Sequence, residues 1–141
     1  MIKLTGLIAS ALLLVSTVSA ASRSTEVVAA TLIFEAGGER DSHAMEAVNE
    51  VIQNRTSSRK ITADKVCLQK LQFSCWNDSS VDAGIAKAKK HAKWNSAVQI
   101  ASSAKTNYTA GADHYHTLKV NPSWNKRLTK TIIIGNHIFY K

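Results

Sequence analysis

The sequence predicts an α+β domain: a helical body carrying a small antiparallel β-sheet that ends in a C-terminal hairpin. Three observations predict it. Apolar residues recur at helical spacing in Val27–Phe34, Met45–Ile52 and Trp94–Ala104. Strand-like runs are confined to the last part of the chain, in His114–Thr117, Thr131–Ile134 and His137–Tyr140. Gly135-Asn136 separates the last two as a two-residue turn of the type II′ class. Helices first and strands last is the order of an α+β fold.

The N-terminus reads as a targeting segment. Lys3 supplies a positive charge, Leu7 to Val15 an apolar run, and Val18-Ser19-Ala20 the small side chains that signal peptidase requires. Residues 1–21 are therefore expected to be a signal peptide and residues 22–141 one domain, exported to the periplasm, cell envelope or medium. Leu4 to Ser22 is uncharged, so an uncut segment would tie the chain to a membrane. Export into an oxidising compartment favours a disulfide between Cys67 and Cys75, with a free thiol pair as the alternative. A bridge closing so short a loop stabilises by about 2–3 kcal/mol.

Charge is unevenly spread. The 141 residues carry a formal +8, and six of the ten acids lie between Glu26 and Glu50. Beyond Asp82, ten Lys or Arg residues face the single acid Asp113. A basic half of this kind is drawn to anionic polymers of a cell envelope. Export argues against nucleic acid as the partner, and no nuclease motif stands in the sequence.

Taken in order, the first helix is expected to start at Thr25-Glu26, where a hydroxyl and an acid suit free N–H groups. It is apolar on most of its circumference and ends at Phe34-Glu35. A carboxylate there is desolvated, its pKa rises, and it can hold a proton for a leaving oxygen. Gly37 and Gly38 are expected to supply a positive φ at the C-cap. A second helix, capped by Asp41 or Ser42, runs to about Asn54 with Met45, Val48, Val51 and Ile52 inward and Glu46, Asn49, Glu50 and Gln53 elsewhere. Arg55 to Lys60 reads as a polar turn, and Thr62 to Leu71 as a short helix or turn.

Gln72-Phe73-Ser74-Cys75-Trp76-Asn77 reads as a loop combining aromatics with amides, a mixture suited to sugar rings and their acetamido groups. A basic helix begins near Asp82, and the helix from Trp94 is expected to end around Lys105 to Asn107. In the strand that follows, His114 and His116 point to one face and Tyr115 to the other. The two histidines begin a metal site but lack a close third ligand, so no metal is assigned. Asn121 to Asn125 is a turn that exposes Trp124.

Five blocks now stand in order: Phe34-Glu35-Ala36-Gly37-Gly38-Glu39, Gln72 to Asn77, Gly111-Ala112-Asp113-His114-Tyr115-His116, Val120-Asn121-Pro122-Ser123-Trp124 and Gly135 to Tyr140. Together they resemble the spore-cortex-lytic (SleB-like) cell-wall hydrolases, from about Val27 to Lys141. The resemblance implies a lysozyme-like or lytic-transglycosylase-like fold, cleavage of peptidoglycan glycan strands, and Glu35 as the catalytic acid. It also implies a glycan groove lined by Gln72, Phe73, Trp76 and Asn77 and by His114, Tyr115 and His116. Tyr115, Tyr140 and Gln72 are the polar candidates for orienting the sugar. Gly37 replaces a frequent arginine and Asp113 a frequent threonine, which affects any substrate contact at those two positions.

The expected reaction cuts between N-acetylmuramic acid and N-acetylglucosamine by lytic transglycosylation, which needs one carboxylate and no cofactor. A hydrolase would need a second, and Glu39 is the nearest in sequence. Two other classes compete. A zinc-dependent peptidoglycan amidase would use His114 and His116, and a non-catalytic basic wall-binding protein would use the basic face with Trp76 and Trp124. The protein is expected to act as a monomer.

Overall fold

A computed structural model describes residues 19–141. The expected signal segment lies almost wholly outside them. Among the described residues, no helix is long and apolar enough to cross a membrane.

Five helices come first: α1 (Arg23–Ala36), α2 (Ala44–Arg59), α3 (Ala63–Leu68), α4 (Val81–Ala88) and α5 (Trp94–Ser102). Three strands follow, β1 (His114–Thr117), β2 (Lys130–Ile134) and β3 (His137–Tyr140). Helix α1 is the axis of the body and packs against the other four. It can do so because Val27 to Ile33 is an unbroken buried run in which Ala29 and Ala30 let neighbouring backbones approach closely. Its start lies two residues before the expected one, because the Ser22 hydroxyl accepts from Thr25 N at 3.2 Å.

The sheet has the order β1-β3-β2 and is antiparallel throughout. Gly135 has φ 56° and Asn136 is not left-handed, as the II′ turn requires. On the inner face, Phe139 and Ile134 join Ala47 and Val51 of α2 in a second small core with Ala112. Full burial of a side chain such as Phe139 stabilises by about 1.5–3 kcal/mol.

Several local expectations are corrected. Gly37 has φ −62° and Gly38 is not left-handed either; a Cβ at Gly37 would fall 2.5 Å from Ile33 O, so close approach explains that glycine. Helix α2 continues through Arg55–Arg59 because Thr56, Ser57 and Ser58 turn their hydroxyls back onto the carbonyls of Ile52, Gln53 and Arg55. It ends at left-handed Lys60. Helix α5 stops at Ser102, short of the expected end, and Ala104 is exposed. Asn49 and Glu50 are buried rather than turned away from the core.

Glu50 is the clearest case. Its Oε1 accepts from Thr106 Oγ1 at 2.7 Å and Tyr108 N at 2.5 Å; its Oε2 accepts from Thr109 N at 2.9 Å and Thr109 Oγ1 at 2.5 Å. Burial pushes this carboxyl up, but the four hydrogen bonds outweigh it and hold its pKa below the ordinary value. The carboxylate thereby staples to α2 the loop that delivers β1.

Candidate active site

Glu35 occupies the last turn of α1, and Tyr115 reaches it from β1. The register pairs Tyr115 with Phe139, so its side chain faces inward with that residue and His137. Its phenol donates to Glu35 Oε2 at 2.5 Å. Burial raises the pKa of Glu35, and the Tyr115 hydrogen bond and the Arg55 charge pull it only part of the way back. Burial, together with the charge of Glu35, also keeps the Tyr115 phenol well above its ordinary pKa, so it remains a donor. Because Tyr115 occupies Oε2, a proton on Glu35 resides on Oε1, free to be given away.

Arg55 is the third member, and the sequence reading placed it in a turn. Its Nε donates to Asp113 O at 2.8 Å while its guanidinium lies 5.6 Å from the Phe73 ring centroid. It thus ties the entry of β1 to the 72–77 loop beside the acid. Only a buried charge with two distant partners marks it, and neither partner is near in sequence.

The other anticipated residues divide between two sides of the sheet. His114 and His116 pair with Tyr140 and Ile138, on the face opposite Tyr115. There His116 Nε2 lies 2.9 Å from the Tyr140 hydroxyl and both histidine rings pack against Trp124. His114 Nδ1 is 2.7 Å from Asp113 Oδ1. Of that strand, therefore, Tyr115 alone touches Glu35. Among the described residues, no group of three or more His, Cys, Asp or Glu is placed to hold a metal ion.

In the 72–77 segment, Phe73 is buried in the core. Trp76 is half-buried on the short 3-10 turn Ser74–Trp76, its Nε1 donating to Thr31 Oγ1 at 3.0 Å and its ring lying against Phe34 and Gly84. Gln72 accepts from Arg59 at 2.9 Å, and Asn77 is exposed. Cys67 and Cys75 are free thiols in the structure, where the sequence reading paired them. Burial pushes both up to about 12, which keeps them protonated.

Glu39 turns toward the hairpin. Its Oε2 accepts from Asn136 Nδ2 at 3.0 Å and its Oε1 lies 3.5 Å from buried His137 Nδ1. Burial holds His137 below its ordinary pKa, with Glu39 pulling the other way. Tyr115 and His137 meet edge to face at 5.1 Å, so Glu35 touches Tyr115 directly while Glu39 is linked to it only by way of His137.

A desolvated carboxylate held by a phenol, where a helical body meets a small sheet, is a group able to hold and release a proton. The chain belongs to the Cell Wall Hydrolase family, whose model matches residues 39–140. Glu35 stands four residues ahead of that span. Two solved structures share the fold. The catalytic domain of the germination-specific lytic transglycosylase SleB from Bacillus anthracis is 23% identical, with a TM-score of 0.68 over 90% of this chain and 100% of that one. The catalytic domain of Bacillus cereus SleB is 22% identical, with a TM-score of 0.62 over 84% and 90%. Comparison with curated protein sequences finds no match.

Proposed function

We propose that this cell-wall hydrolase cuts the glycan strand of peptidoglycan between N-acetylmuramic acid and N-acetylglucosamine by lytic transglycosylation, with Glu35 as its single catalytic carboxylate. The observation that carries the reading is the environment of Glu35: buried enough to favour the protonated form, with Tyr115 fixing which oxygen bears the proton. The proton on Oε1 passes to the glycosidic oxygen as the bond from the muramyl anomeric carbon breaks through an oxocarbenium-like state. The muramyl 6-hydroxyl then closes on that carbon and returns its proton to Glu35. No water is consumed, and a tethered attacker has a large entropic advantage over a free one. The commitment of Glu39 to Asn136 and its proximity to His137 favour this route over one needing a second carboxylate.

Export, and pairing of Cys67 with Cys75 after it, belong to the same reading. Both thiols lie against the core built on α1, and Cys67 adds to the upward shift at Cys75. The basic C-terminal half would hold the enzyme on anionic envelope polymers.

The test is digestion of purified peptidoglycan by the wild-type protein and by Glu35→Gln, read by mass spectrometry. Anhydro-muramyl ends that disappear in the variant are expected. Reducing ends would indicate hydrolysis instead. Cut peptides on intact glycan, or equal activity of the two proteins, would overturn the assignment of Glu35.

A further inference from the structure

A cavity of about 480 Å³ lies between the end of α1, the first turns of α2 and α5, with neither Glu35 nor Tyr115 in its lining. Met45 and Ile100 give it apolar wall, while Glu46, Lys93, Ser96 and Gln99 give it charges of both signs and hydrogen-bonding groups. Asn49 also lines it. That side chain belongs to a residue only 3% exposed; its Nδ2 donates to Ile100 O at 3.3 Å, and its Oδ1 is buried with no hydrogen-bond partner among the described residues. A buried amide oxygen left in that state calls for an incoming N–H.

The lining defines the ligand. Glycan offers hydroxyls and acetamido N–H groups but no cation to match the acids Asp41 and Glu46 at the cavity wall. A short peptide offers amide N–H groups for Asn49, an ammonium for Glu46 beside its 3.3 Å contact with His43, a carboxylate for Lys93, whose Nζ also donates to Glu39 O at 2.8 Å, and methyl groups for Met45 and Ile100. Position follows the same logic. Ala36 lines the cavity and is the residue next to Glu35 on α1. An extended peptide of three residues spans about 10 Å, enough to run from a sugar at the acid to a pocket one helix position away.

We propose that this cavity binds the peptide stem carried by the muramic residue at the cleavage point, making the enzyme selective for glycan that still bears its peptides. Naming the peptide as a stem rests on the function proposed above; the recognition of a charged peptide does not. The probe is the synthetic tripeptide L-alanyl-γ-D-glutamyl-meso-diaminopimelate, titrated into isotope-labelled Glu35→Gln protein and followed by amide chemical shifts. Saturable shifts confined to Ala44–Asn49 and Ser96–Ser103 are expected, and they should vanish in Ser96→Trp and in Gln99→Tyr. Both substitutions fall at exposed positions of α5 and fill the mouth, and circular dichroism checks their folding.

In the kinetic arm, the wild-type KM should rise about tenfold on glycan stripped of its peptides, with kcat retained. Ser96→Trp should show the same KM on both substrates. Absence of shifts at millimolar peptide, or shifts that persist in both filled variants, would overturn the proposal and leave a solvent-filled cavity. Binding without cleavage by the wild-type protein would sink the functional reading and leave the peptide site standing.

Discussion

Glu50 offers the sharpest test of how the site is held. A glutamine there keeps the shape but replaces one carboxylate oxygen by an NH₂ group. In one orientation that group faces Tyr108 N; in the other it faces Thr109 N, and neither backbone donor can turn to accept. The hydroxyls of Thr106 and Thr109 can rotate, so one orphaned N–H is the minimum loss, about 1–3 kcal/mol. The surviving bonds become neutral and weaken, while the penalty for burying a charge is relieved, so the net cost is set at about 2–4 kcal/mol. With a urea m-value of about 2 kcal/mol/M, the unfolding midpoint should fall by about 1–2 M. Glu50→Ala should cost more, since both N–H groups lose their acceptor beside a new cavity. The pH dependence has a definite sign. The folded pKa is depressed, so the contribution of Glu50 is present above 4.5 and lost as pH falls through the folded value. The gap between wild type and Glu50→Gln should therefore narrow on acidification. A midpoint change no larger than that of Glu46→Gln, whose side chain is more exposed, would refute the argument.

Three further variants have defined outcomes. In Tyr115→Phe, Glu35 loses a hydrogen bond that favours its charged form, so the alkaline limb of the pH–rate profile for glycan cleavage should move upward while the maximal rate falls. In Glu35→Gln, cleavage should drop by about 10²–10⁴-fold, the usual scale of general acid catalysis. Because the folded pKa of Glu35 is raised, ionising it costs stability as pH rises past 4.5, and urea melts should show Glu35→Gln at least as stable as wild type at pH 7, with the difference fading toward acid. Gly84→Ala should destabilise by about 1–3 kcal/mol and shift tryptophan fluorescence, because the new Cβ would lie 2.5 Å from Trp76 Cζ3 and displace the ring.

What could be read from the sequence was what is local. The buried run of α1, the carboxylate at its end and the Gly135-Asn136 hairpin all depend on neighbours a few residues away, and each stands where the pattern puts it. Glu50 looked like a solvent-facing acid on an amphipathic helix because its partners are 56 to 59 residues downstream and carry no recognisable spacing. Arg55 was hidden for the same reason. The Thr56-Ser57-Ser58 run misled by propensity: these residues favour turns when their hydroxyls are free, and extend a helix when tertiary contacts hold it and the hydroxyls bond back. At β1 the alternation was legible, but not which face would meet the acid. The sheet turns Tyr115 inward and leaves His114 and His116 with Trp124.

The bond between Glu35 and Tyr115 spans 80 positions of the chain. Contacts of such separation form after local helices, since loop closure must precede them. Glu35 therefore lacks its hydrogen-bond partner until β1 has docked beside the helices. No fragment ending before residue 115 contains the complete pair, however well its helices fold.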